Sequence, residues 1–191
     1  MSEQAAKERR AKQTVNNLLL SLLATAGMVL MLVLVVPRDD SSRIPKVDYT
    51  AIAQQAATSS KQAIIAPELP EGWWSNKATW LANPVDAVPR FEAGFVGPKN
   101  QYIGMAQAFG VNPTWLALTL KDVVLEKNYS NAGSSVVWGV YKSPKVNTPP
   151  KTKDVIWIAT VGADAVMIYG DGSVAEFEAF AKAIESKLGA K

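Results

Sequence analysis

Apolar positions follow three different patterns along this chain, and each predicts a different element. From Leu18 to Val36 the run LLLSLLATAGMVLMLVLVV contains no charge. At about 1.5 Å per residue such a helix reaches roughly 28 Å, close to the ~30 Å hydrocarbon core of a bilayer. Lys7, Arg9, Arg10 and Lys12 precede it, and Pro37-Arg38-Asp39-Asp40 closes it, since proline breaks the ladder and charge is costly in lipid. The pattern predicts a transmembrane helix over residues 15–36. Ala24-Thr25-Ala26, the one small-x-small site nearby, lies inside the run, so the segment reads as an uncleaved signal anchor. Residues 1–14 read as a basic cytoplasmic tail, with 5–14 a helical extension of the span. Residues 37–46 read as a stiff polar linker.

From residue 47 onward apolar residues recur at steps of two or of three and four. Asp48 opens a short helix with Ile52 and Ala56 four apart. Pro67 and Pro70 bracket a turn that leads through Gly72 to Trp73 and Trp74. Strands are predicted at Trp73–Ala82, Arg90–Val96 and Gln101–Ala108, the last two joined by a turn at 97–100. Asn112-Pro113 starts a helix as N-cap and first residue, with Trp115, Leu118, Val123 and Leu125 on its apolar side. The order then repeats, with strands at Ser135–Tyr141, Asp154–Val161 and Ala165–Gly170. A capping box at Ser173 and Glu176 opens a helix buried through Phe177, Phe180, Ile184 and Leu188. Matching elements lie about 61–65 residues apart. The expected domain, residues 47–191, is therefore α+β: an antiparallel sheet of about six strands in two duplicated strand-strand-strand-helix halves, with helices on one face.

Charge and composition narrow the function. The net charge of +3 arises in the first 46 residues, which hold seven of the 20 Lys and Arg but four of the 17 Asp and Glu. The domain itself balances at thirteen of each, so the basic pI of 9.0 marks membrane topology, with the tail inside and the domain outside, rather than nucleic-acid binding. The chain has no Cys and no His. That excludes thiol and Ser-His-Asp catalysis, thiolate and Fe–S sites and nearly all Cu, Zn or non-haem Fe sites. Carboxylate, Lys or Tyr chemistry remains, or none.

No constellation fills that gap. Asp171-Gly172-Ser173 reads as a turn and cap, and Gly94, Gly97 and Gly104 do not form a dinucleotide fingerprint. Glu68 and Glu71 beside Trp73 and Trp74 are the one grouping with the look of a sugar site. Adjacent tryptophans on a strand face opposite sides, so only one of this pair is easily buried. Trp73 and Trp74 thus head the candidate interaction surface. Lys145, Pro149 and Pro150, in the stiff loop Ser143–Asp154, complete it. Within the span, Gly27 lacks a second Gly four residues away, and Ser21 and Thr25 are the candidate contacts for a partner helix.

Several short motifs carry a resemblance that runs over nearly the whole chain. They are the basic tail and single span, Asp48-Tyr49, Pro67-Glu68-Leu69-Pro70-Glu71-Gly72-Trp73, Gln101-Tyr102, and the Gly170 turn before the last helix. Together they resemble an actinobacterial family of single-span envelope proteins defined by a domain of unknown function, number 4245. The resemblance implies an actinobacterial envelope protein and assigns no catalytic residue. The P-x-L-P-x-G-W approach to the sheet also resembles the extrinsic photosystem-protein type of α/β/α sandwich, a binding fold. The expectation is a non-catalytic accessory or scaffold subunit of an envelope membrane complex, respiratory or cell-wall, with no cofactor or metal. The alternative is a binding domain for a cell-wall lipid or glycan. A carboxylate-dependent hydrolase is a third reading, and scattered acids argue against it.

Overall fold

The computed structural model describes residues 3–35, 45–145 and 151–188. They belong to two compact units, Met1–Arg43 and Ile44–Lys191. In the first unit one helix, α1 (Glu3–Val35), joins the tail and the apolar run without a break. Its 24-residue stretch Lys12–Val35, which contains an 18-residue window of mean hydropathy 2.7, is long and apolar enough to span a membrane.

The second unit runs α2 (Tyr49–Ser60), β1 (Trp74–Leu81), β2 (Arg90–Val96), β3 (Tyr102–Ala108), α3 (Pro113–Leu120), β4 (Val124–Tyr129), β5 (Trp138–Lys142), β6 (Val155–Val161), β7 (Asp164–Gly170) and α4 (Val174–Leu188). The strands form one open antiparallel sheet in the order β1-β2-β3-β7-β6-β5-β4, so the domain is α+β. The seventh strand is β4, whose first residues were expected on the apolar side of α3. The helix instead stops at Leu120, and the Val123 N–H donates to the Leu120 carbonyl at 3.2 Å. Two consecutive β-branched valines, and an apolar stripe too broad for one helix face, favour a strand there.

Two three-stranded meanders, β1-β2-β3 and β5-β6-β7, meet where β3 pairs with β7, Met105 opposite Ile168 and Ala106 opposite Met167. A twofold axis normal to the sheet would relate them, as the repeated order suggests, and would set the following helices on the same face. They lie on opposite faces. Phe91, Phe95, Ile103, Met105, Trp157 and Ile168 pack with α2 and α4. Their strand neighbours Ala106, Ala108, Ile156 and Met167 pack with Trp115 of α3. The expectation of helices on one face therefore holds for α2 and α4 and fails for α3. The reason lies in the segment between β3 and α3. The Gly110 N–H donates to Asp164 Oδ1 (3.0 Å) and the Val111 N–H to the Ala163 carbonyl (2.8 Å), tying the chain to the β6–β7 turn. From there α3 settles where the alanines leave room for an indole.

The first face is closed by α4. The Phe180 ring lies 5.4 Å from Phe95 and 4.9 Å from Trp73, and Phe177 stacks on Trp157 at 5.5 Å. At its start the capping box forms as predicted, Ser173 N–H to Glu176 Oε2 at 2.7 Å and Glu176 N–H to Ser173 Oγ at 3.4 Å. Asp48 caps α2 through the N–H groups of Thr50 and Ala51. The next residue, Tyr49, donates its hydroxyl to the Pro67 carbonyl at 2.6 Å. Both edge strands are bulged, at Asn76 in β1 and Glu126 in β4, each followed by a lysine. Bulges and charges of this kind discourage strand addition at an exposed edge.

Phe180 is fully buried against Phe95 and Trp73, so Phe180→Ala is expected to lower stability by about 3–5 kcal/mol in urea unfolding. Leu118→Ala, 60% exposed on α3, should change it by less than ~0.5 kcal/mol. Equal midpoints for the two variants would contradict this assignment of the core.

Candidate functional site

The second face of the sheet is covered by α3 over its centre and is uncovered toward β1. What stands there is set by register. Gly94 of β2 pairs directly with Gly104 of β3, which leaves a trough with no side chains. Two tyrosines and the Asn76 side chain reach into it. A Cβ on Gly104 would sit 2.5 Å from Tyr169 Cζ, and one on Gly94 would sit 2.7 Å from the Tyr102 hydroxyl. Their ring centroids are 6.5 Å apart. Burial against this floor raises both phenol pKa values, that of Tyr169 far above the ordinary range, so both stay neutral.

Charged groups frame the rings. Lys153 Nζ stands 5.5 Å from the centre of the Tyr169 ring. Two strands from Tyr102, Trp74 lies opposite Val96 on the same face, and Lys46 Nζ stands 5.9 Å from its ring. Beside them, farther along β2, runs an ion-pair chain: Lys77 to Glu92 at 3.0 Å, Arg90 to Glu92 at 2.9 Å and Arg90 to Asp86 at 2.8 Å. Asp171 is committed to structure, accepting the Tyr102 N–H at 2.6 Å. Tyr102, Tyr169, Thr152, Lys153 and Asp171 line an open groove of about 420 Å³.

The predicted site residues separate. Trp73 and Trp74 do face opposite sides: Trp73 packs into the core on Phe180, and Trp74 stands on the open face. Glu68 pairs with Lys187 at 2.7 Å rather than with Glu71 in a cleft. Lys145 is exposed and lines a separate groove of about 310 Å³ with Lys121, Val124 and Lys151. Pro149 and Pro150 lie outside the described residues. In α1, Thr25 donates its hydroxyl to the Ser21 carbonyl at 2.9 Å, which satisfies that donor within the helix. A further cavity of about 190 Å³ lies beside Gln107, whose amide bonds Ile65 N–H and the Ala63 carbonyl and so stitches the α2–β1 connection to the sheet. Among the described residues no group of three or more acidic side chains is placed to hold a metal ion. Tyr102, Tyr169 and their glycine floor were not predicted as a site. A glycine inside each of the strands RFEAGFV and YIGMAQA is the signal that marks a close approach.

Residues 10–184 match a family described as proteins of unknown function, DUF4245. The chain belongs to that family. The match covers most of α1 and nearly all of the folded unit, so in this DUF4245 protein helix and domain come as one inherited pair. No curated protein and no solved structure matches the chain. The residues that carry the family resemblance hold structural contacts: Asp48 caps α2, Tyr49 holds Pro67, and Gln101 bonds Glu176. At Gly170 a Cβ would sit 1.9 Å from the Tyr102 carbonyl oxygen, so β3 and β7 meet only if that position is glycine.

The acids of this region fix the pH response. Burial acts to raise the Glu92 pKa, but the bonds from Arg90 and Lys77 bring it below the ordinary value. Burial opposes the same shift at Glu176, where Ser173 and Gln101 hold the carboxylate ionised. Folded values lie below unfolded ones, so this stabilisation is complete above the unfolded carboxylate range and is lost as pH falls through the folded pKa values. The melting temperature should fall between about pH 5 and pH 3, and less steeply in Glu92→Gln. A flat profile in the parent protein would contradict the assignment.

Proposed function

We propose that this DUF4245 protein is a membrane-anchored, extracytoplasmic, non-catalytic protein that serves as an accessory or scaffold subunit of an actinobacterial envelope membrane complex. Respiratory-chain and cell-wall machinery are the candidate assemblies. The observation that carries the reading is the helix Lys12–Val35, 24 exposed and mostly apolar residues joined to a domain whose acids are used in caps and ion pairs. Such a chain brings a folded unit to a membrane and holds it there. The basic tail before the helix supports an N-terminus on the cytoplasmic side. Ser21 and Thr25 remain the proposed contacts for a partner helix.

A second reading, binding of a cell-wall glycan or lipid by the domain, has its own support in the uncovered aromatic face that holds Trp74, Tyr102 and Tyr169. The open groove there suits a polar chain better than an acyl tail, which needs an enclosed apolar cavity.

The subunit reading is tested by gentle-detergent purification of the tagged full-length protein beside a variant whose span is replaced by an unrelated apolar helix. Stoichiometric recovery of other membrane proteins is expected, and its loss in the variant would assign the contact to α1. Recovery of the protein alone would overturn the subunit reading.

A further inference from the structure

The aromatic groups on the open face form a line rather than a cluster. Trp74 on β1, Tyr102 on β3 and Tyr169 on β7 stand in two adjacent rows of the register, running across the strands. Three strand spacings separate the first from the last, about 14 Å. The two tyrosines have ring atoms against the glycine floor and also line the groove.

The charges along this line are unequal. Glu92 is tied to Lys77 and Arg90, and Asp171 to the Tyr102 backbone. Lys46 and Lys153 are exposed and each stands over an aromatic ring, at opposite ends of the line. An ammonium over a ring is a weak contact at an exposed site, and it yields readily to a carboxylate or phosphate. Rings that stack on the apolar faces of sugars, flanked by lysines free to take their acidic groups, match a linear acidic saccharide. A single-stranded nucleic acid would meet the same rings, but the domain as a whole carries as many acids as bases, without the basic excess such ligands require.

We propose that Trp74, Tyr102 and Tyr169, with Lys46 and Lys153, form a platform for an acidic polysaccharide chain laid across the strands. The proposal rests on the glycan reading above and is independent of any partner subunit. It places the ligand contact on the uncovered face, away from Trp73, which is occupied in the core.

The test uses the full-length protein in detergent micelles, titrated calorimetrically with an oligogalacturonate, a neutral dextran oligomer and oligo(dT). The oligogalacturonate should bind at least tenfold more tightly than dextran, and binding should weaken with salt. The double variant Lys46→Glu/Lys153→Glu changes only exposed side chains, so it should keep the parent's melting temperature and lose at least tenfold in affinity. Trp74→Ala should lose a similar factor. Three outcomes overturn the proposal: no oligogalacturonate binding by the folded chain, binding unchanged in the double variant, or tighter binding of oligo(dT). A failed pull-down with intact saccharide binding would count against the subunit reading alone.

Discussion

Phe177 and Phe180, one turn apart on α4, hold the two halves of the sheet to a single helix. Phe180 meets Phe95 of the first meander and Trp73 just before it, while Phe177 stacks on Trp157 of the second. Trp157 in turn meets Tyr129 of β4 at 4.9 Å, so the contact reaches the far edge. On the near side Tyr49 of α2 meets Phe95 at 5.2 Å. Side chains three apart on a helix share one face, which is why two residues suffice to bridge two meanders. The position of α4 is fixed at its start by the capping box, by the Gln101–Glu176 bond and by the Gly170 turn that lets β7 lie against β3.

This concentration of aromatic packing on one face determines what the other can be. With α2 and α4 on the first face, the second receives, among the described helices, the eight-residue α3, which fills the space above alanines and leaves the β1 side open. An uncovered sheet face presents backbone and side chains to water, and here glycines paired across β2 and β3 lower its floor so that tyrosine rings approach the backbone. Glycine in a strand weakens the sheet, and an aromatic ring laid over it restores packing. The same two tyrosines therefore stabilise the sheet and supply its exposed aromatic surface. Bulges at both edges turn partners away from strand addition and leave this face and α1 as the surfaces suited to contact.

Most elements of the fold were legible because their signals are local. Asn112-Pro113, the Ser173–Glu176 box and the alternation in Arg90–Val96 each specify their structure within a few residues, and each forms where expected. The long apolar helix α1 is legible for the same reason, since its nineteen-residue uncharged run is a local signal. What failed depended on distant contacts. The strand β4 was hidden because Val123 to Leu125 continue an apolar run, and only pairing with β5 decides for extension. The side on which α3 packs is set by the Gly110–Asp164 and Val111–Ala163 bonds, 54 and 52 residues apart in the chain. Trp73 and Trp74 were correctly separated by strand parity, but which one reached the core required knowing where α4 lies. The tyrosine platform was missed because Gly94 and Gly104 gain meaning only when β2 and β3 are brought into register.

Subunit and saccharide readings share one requirement, that the domain after α1 lies on the outer side of the membrane. The measurement that tests it most directly is protease treatment of intact cells producing the full-length protein with a C-terminal tag. External protease is expected to remove the tag while a cytoplasmic marker stays whole. A tag protected until the cells are lysed would reverse the topology and remove the basis of both readings.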